Sequence, residues 1–252
     1  MAPYADAARA LHAAWRGGRP LAEALDEIAR GHARDGAPAF VPIAALPRGE
    51  AYEAFVARTR RVPVRETLHD ALNALVWLRR PALKWALGAA HAAEIARTGV
   101  GPVRGPRRDA LTLLDENGAL LAAPAPLIEA LRARDWRTLF VDRRALWAGA
   151  RLELVGHGLL EQLAVAPRSA LTTHTWIVPA GDFDDPALPA DPAPSAWQPL
   201  PVLGVPGWWP DNAHPAFYGD PAVFRGARGT RAAARAQSAL SCRPGLNLTR
   251  EP

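Results

Sequence analysis

Apolar and polar positions recur with helical period most clearly over residues 65–97, RETLHDALNALVWLRRPALKWALGAAHAAEIAR. Leu68, Leu72, Leu75 and Val76 return every three or four residues and predict a buried stripe. Thr67 followed by Asp70 is a capping-box-like start: the hydroxyl can accept from the third amide, and an early acid suits the positive end of the helix dipole. Pro81 cannot continue a helix without forfeiting a hydrogen bond, restricts Arg80, and suits the first turn of a new helix. The stretch therefore predicts two helices, 67–79 and 82–97, with a corner at Arg80 and Pro81 and with Gly99 as a left-handed cap.

Weaker periodicity surrounds this spine. Residues 4–16 and 20–34 predict amphipathic helices separated by Gly17 and Gly18. Residues 37–42 read as an extended connector, and 50–60 as a short helix packing through Tyr52 and Phe55. Two apolar runs, 110–114 and 119–122, flank Asp115-Glu116-Asn117-Gly118, and Asn-Gly between such runs predicts a hairpin with the two acids at its tip. Residues 126–134 predict a helix, 138–141 a short strand, 142–147 a helix or turn, and the β-branched run 171–178 a strand. Residues 180–225 are too rich in Pro, Gly and Asp for long elements. They also hold Trp197, Trp208, Trp209, Phe217, Tyr218 and Phe224, too many aromatics for a free linker, which predicts an arm lying across the body.

Composition sharpens this picture. The 252 residues are 49% hydrophobic, enough for a sizeable core. The net charge of +5 invites a nucleic-acid reading, but residues 226–252 carry five arginines against Glu251, so four of those charges belong to the tail. The body is close to neutral. The single cysteine, Cys242, excludes an internal disulfide and fits a reducing cytoplasm. The N-terminal residues show no secretory pattern, and no window reaches the roughly 18 apolar residues of a membrane span. Of 30 basic residues, Lys84 is the one lysine, so its ammonium stands out where arginine is the default.

The chemistry sits in three places. His69, Asn73 and Trp77 share one helix face at four-residue spacing, opposite the apolar stripe, and line either a pocket or a core edge where a histidine is simply hydrogen-bonded. His157 and Glu161 stand at i and i+4 in GHGLLEQL, a spacing that serves a metal or a base with its orienting carboxylate. Flanking Gly156 and Gly158 permit close approach of another backbone. Asp115 and Glu116 supply carboxylates, and Lys84 and His91 electrostatic help. The cluster Arg58, Arg60, Arg61 and Arg65 reads as a solvated face, with anion binding as the alternative. The loop around Gly99, Gly101 and Gly105 lacks both nucleotide fingerprints, and no heptad, repeat, zinc spacing, HExxH or GxSxG is present.

The blocks VPVRETLHDALNALVWLRRPALKWALGAAHAAEIARTGVGPVRGPRRDALTLLDENGALL, GHGLLEQL, PRSALTTHTWIVP and LPVLGVPGWWPDNAHPAFYGDPAVFRGAR resemble, from about residue 40 to 228, the bacterial family catalogued as domain of unknown function 3025. The chain departs from the family pattern at Arg80, where an aromatic is frequent, and at Gly88, where Asn is frequent. The resemblance implies a compact intracellular bacterial domain and carries no activity, substrate or cofactor.

These observations predict an α+β protein: a mainly helical single domain over 1–225 with a small antiparallel sheet and a long Pro/Gly/aromatic-rich C-terminal arm, followed by a disordered basic tail over 226–252. Strands do not alternate regularly with helices, which argues against a doubly wound sheet. The leading functional expectation is a cytoplasmic, metal-assisted or acid–base hydrolase-like enzyme. His69, Asn73, Lys84, Asp115 and Glu116 would carry catalysis, and His69, His157 and Glu161 would hold a divalent metal if one is used. Its partner would be a small molecule. The alternatives are a module binding nucleic acid or a protein partner through the tail and arm, and a homodimer built on the arm; no membrane partner is expected.

Overall fold

The computed structural model describes residues 2–31, 36–99 and 105–226. The expected helix end at 32–34, Gly101 and the basic tail from 227 onward lie outside the described residues. Eight α-helices occur among those described: α1 (Ala5–Arg16), α2 (Leu21–Gly31), α3 (Tyr52–Thr59), α4 (Leu68–Arg79), α5 (Pro81–Thr98), α6 (Pro106–Asn117), α7 (Ala125–Ala133) and α8 (His157–Val165). The strands are β1 (Ala39–Pro42), β2 (Arg61–Val64), β3 (Gly118–Ala122), β4 (Arg151–Leu154), β5 (Thr172–Ile177) and β6 (Gln198–Pro201). The chain is α+β and mainly helical. No described helix is long and apolar enough to cross a membrane.

The central stretch forms as its sequence dictates. Thr67 Oγ1 accepts from the Asp70 amide at 3.1 Å, and Asp70 accepts from the Arg65 amide, which fixes the start of α4. Ala71, Leu72, Leu75 and Val76 bury one face, but Leu68, expected in that stripe, is 37% exposed. It is the first residue of the helix, beyond the reach of the core. Pro81 opens α5, and Gly99 closes it with φ 72° and ψ 177°, its amide bonded to the Ile95 carbonyl. Its φ is positive, as a glycine cap allows, but its ψ lies outside the left-handed helical region.

Arg80, at the corner, is 4% exposed and grips the equally buried Glu153 of β4 through two parallel bonds of 2.9 and 2.8 Å. Its remaining nitrogen donates to the carbonyls of Phe183 and Asp184. This network ties the spine to the sheet and to the start of the arm. A planar guanidinium with its donors filled is the residue type that such a buried position requires.

Two expectations fail around the sheet. The 110–122 hairpin does not form. Residues 106–117 are the helix α6, opened by Pro106, with Ala110, Leu111 and Leu114 buried at helical spacing. Asn117-Gly118 joins α6 directly to β3, so the dipeptide that signalled a turn between strands marks a helix end. The sheet is also mixed rather than antiparallel, in the order β4-β3-β5-β6. β3 pairs antiparallel with β4 and parallel with β5, and β5 pairs antiparallel with β6. β3 is central and buried throughout, which is why it reads as the continuous apolar run GALLA rather than as an alternation. Prolines 199 and 201 fall on the edge strand β6, where a missing donor is tolerated. A separate parallel pair joins β1 to β2.

Residues 138–142 are a π turn, not a strand. Leu139 and Phe140 are adjacent and both buried, and the Thr138 carbonyl accepts from the Arg143 amide five residues on, the bond of a π turn rather than of a ladder. Phe140 then centres an aromatic cluster. Trp147 and Tyr218 stack on it at 5.8 and 5.2 Å between ring centres, and Phe224 meets it edge-on at 6.0 Å. The arm is held elsewhere by Trp197, whose indole N–H donates to the Ala110 carbonyl inside the core. Its aromatics fill grooves in the body, as their number predicts.

Candidate functional site

α4, α5, α6 and the first turn of α8 enclose a cleft of about 310 Å³, with α3 and the end of β2 along its rim. Each helix contributes the face its spacing defines. α4 presents His69, Asn73 and Trp77; α5 presents Lys84 and His91; α6 presents Asp115 and Glu116; and α8 opens with His157. Residues far apart in sequence therefore converge here.

The histidines stand at the centre. His69 Nε2 and His157 Nε2 are 3.1 Å apart, with the rings edge-on at 72°. Glu161 Oε2 lies 2.9 Å from His69 Nδ1, on the far side of the ring. Glu116 Oε1 lies 3.5 Å from His157 Nε2, and Asp115 Oδ1 4.0 Å from His157 Nδ1. One ligand atom from each of His69, Glu116 and His157 falls within 4.8 Å of the others. Two imidazole nitrogens on one ion at about 2.05 Å stand roughly 2.9–3.4 Å apart for octahedral or tetrahedral angles, so the histidine pair has the spacing of ligands. Glu161, expected as a ligand, contacts His69 Nδ1 rather than the Nε2 that faces His157.

Two glycines make this approach possible. A Cβ on Gly156 would meet the Gly118 nitrogen at 2.3 Å, so the chain entering α8 lies directly on the end of α6. The Gly118 carbonyl accepts from both the Val155 and Gly156 amides. A Cβ on Gly158 would meet Glu116 Oε2 at 2.6 Å. The Gly158→Ala variant should therefore fold, since a carboxylate end can swing aside, but lose more than about 100-fold in divalent-metal affinity, beyond the cost of an outer-shell change, as Glu116 is displaced. Calorimetric titration checks this against an unchanged circular dichroism spectrum.

Lys84 is 4% exposed and ion-paired with Asp115, its ammonium 5.4 Å from the Trp77 ring. The lone lysine is thus a cleft residue. Burial pushes the Asp115 carboxyl up, but Lys84 and then His157 outweigh it and leave its pKa below the usual carboxylate range. Burial lowers the pKa of His157, against the pull of Asp115, so its imidazole is neutral and its lone pairs are available near pH 7. Burial lowers His91 and His174 likewise.

These depressed histidines set a direction for stability. The unfolded chain binds protons on them from about pH 6.5 downward while the folded chain resists, so stability must fall as pH drops through that value. The melting temperature of chelator-treated protein should decline from pH 7.5 to pH 5.5, and His91→Gln should flatten part of that decline.

Five buried polar atoms without a hydrogen-bond partner belong to residues of this cleft: Tyr52 Oη, Asn73 Oδ1, Trp77 Nε1, His91 Nδ1 and His157 Nδ1. Orphaned buried groups are rare, and five of those among the described residues border this one cavity. The sequence pointed to the His69/Asn73/Trp77 face and to Glu116 as a catalytic carboxylate, but read Tyr52 as packing and placed Glu116 at a hairpin tip. One signal was legible: α6 carries Asp115 and Glu116 in its last turn, against the helix dipole, while Arg107 and Arg108 outnumber Asp109 in its first. Such local violations concentrate at functional sites.

A family model described as "Protein of unknown function (DUF3025)" matches residues 39–188 and 187–228. No curated protein and no solved structure matches the chain.

Proposed function

We propose that this chain, which belongs to the DUF3025 family of proteins of unknown function, is a metal-assisted hydrolase acting on a small molecule in the cleft between α4, α5, α6 and α8. The observation that carries the reading is the meeting of His69 Nε2 with His157 Nε2 at 3.1 Å, beside the Glu116 carboxylate. Both rings turn Nε2 inward; Glu161 holds His69 Nδ1 at 2.9 Å, while Asp115 stands 4.0 Å from His157 Nδ1, where it acts as a nearby charge rather than a hydrogen-bond partner. That orientation leaves inward lone pairs for a cation.

Two histidines and one carboxylate form the ligand set of many catalytic divalent sites, with a coordination position left open. An ion held there supplies Lewis acidity and lowers the pKa of a bound water to about 7. His69, His157 and Glu116 would hold it. Glu161 would orient His69, and the charge of Asp115 would orient His157. The Lys84 ammonium, seated over the Trp77 ring, would hold Asp115 ionised for that task. Asn73 would position the substrate. The basic tail that suggested nucleic-acid binding lies outside the described residues, and the arm that supported the same alternative turns Trp197 into the core and stacks Tyr218 on Phe140.

The test is metal-dependent turnover. Chelator-treated protein should hydrolyse none of a panel of chromogenic amides, esters and phosphoesters. Added Zn²⁺ or Mn²⁺ should restore turnover of one class, and Glu116→Gln should abolish it. Turnover that persists in chelator, or a panel that stays inert with every metal, would overturn the proposal.

A further inference from the structure

The inner part of the cleft is built for a neutral amide group. Tyr52, Asn73 and Trp77 meet there: the Asn73 and Trp77 side chains come close enough to the Tyr52 hydroxyl to interact with it, yet no hydrogen bond of good geometry satisfies Tyr52 Oη, Asn73 Oδ1 or Trp77 Nε1. Trp77 is 2% exposed, so its indole N–H has no access to bulk water. The three groups differ in what they can accept and give. An indole N–H only donates, an amide oxygen only accepts, and a phenol does either. A carboxylate or phosphate would satisfy Trp77 and leave Asn73 Oδ1 bare, while an ammonium would do the reverse. A carboxamide has one acceptor and N–H donors in one plane and satisfies both.

Charge points the same way. Burial, and after it the negative field of Asp115, hold the Tyr52 phenol protonated. The same field repels an anion. The one nearby cation with its charge inside, Lys84, is engaged by Asp115. Leaving any of these buried groups unpaired is costly, so a ligand lacking the matching atoms is discriminated against.

We infer that Tyr52, Asn73 and Trp77 form a recognition subsite for an uncharged carboxamide on the substrate. The inference deepens the hydrolase reading and rests on it for the word substrate. Asn73 and Trp77 lie one and two turns along α4 from His69, so the amide would sit about 6–12 Å along the helix from the hydrolysed bond. A cleft of about 310 Å³ admits a molecule with both features only if it is small.

The experiment uses acetamide and acetate as probes and the indole N–H resonance of Trp77 as the readout, identified by its loss in Trp77→Phe. In chelator-treated protein, acetamide should shift that resonance saturably, and acetate should not. Tyr52→Phe should weaken acetamide binding roughly fivefold, the worth of about one hydrogen bond. Asn73→Leu should do so at least as much. The nitrogen–proton correlation spectrum shows directly whether each variant remains folded, and either of the two suffices. No saturable shift with acetamide, an equal shift with acetate, or indifference to both variants would overturn the subsite. Because no metal is present, acetamide binding without metal uptake would leave the subsite standing while the hydrolase reading falls. Metal-dependent turnover without acetamide binding would do the opposite.

Discussion

Replacing His157 by alanine should abolish stoichiometric divalent-metal binding and, with it, metal-dependent turnover. His157 is 4% exposed, opens α8, and places its Nε2 against both His69 and Glu116. Substitution of an outer-shell partner costs about 10–100-fold in metal affinity, so loss of a ligand must exceed the upper figure. Glu161→Gln provides the comparison. Glu161 touches His69 at Nδ1, not at the Nε2 that faces His157, so it should fall within that 10–100-fold range. The order His157→Ala worse than Glu161→Gln separates a ligand from an orienting residue. Equal effects from the two would contradict the assignment of Glu161. Calorimetric titration with Zn²⁺ on folded variants measures both.

The second large effect is structural. Arg80→Ala should destabilise the protein by about 3–5 kcal/mol, because it strands the Glu153 carboxylate in a site where only 4% of the residue is exposed. It also leaves the carbonyls of Phe183 and Asp184 without that donor. For a chain of this length that loss corresponds to a fall of about 6–20 °C in melting temperature. Arg79, which also reaches Glu153 at 3.1 Å, offsets part of it. Replacing both partners with apolar residues, Arg80→Met with Glu153→Leu, should recover much of the loss, since no buried charge then remains unpaired. A double variant as unstable as Arg80→Ala would show that the stability comes from shape and packing rather than from pairing the charge. Thermal unfolding of the metal-free protein decides this independently of the site.

What the sequence disclosed follows a physical boundary. The spine was legible because its signals are local: a threonine cap with Asp70 three residues on, a proline at the corner, a glycine at the end. The His69/Asn73/Trp77 face was legible for the same reason, since four-residue spacing alone puts those side chains on one side of a helix. The hairpin was misread because Asn-Gly ends a helix as readily as it turns a strand, and the weaker helical spacing of Ala110, Leu111 and Leu114 went uncounted against it. The parallel pairing of β3 with β5 could not be read at all, because it joins residues more than fifty positions apart through no local signal.

The site shows the same division. The candidate residues were nameable one by one from their types and spacing. Their meeting was not, because His69 and His157 are 88 positions apart and are joined by glycine contacts, at Gly156 and Gly158, that only a packed backbone reveals. Tyr52 was missed because an aromatic at helical spacing reads as core. Its role emerges only from a hydroxyl that the fold leaves unpaired.

The most direct test is to locate the ion. Crystals of the protein soaked in Zn²⁺ and measured at the zinc absorption edge should show one ion per chain in the cleft, within about 2.0–2.2 Å of His69 Nε2, His157 Nε2 and a Glu116 oxygen. An edge signal absent from that position, with the two imidazoles still in contact at 3.1 Å, would contradict the account.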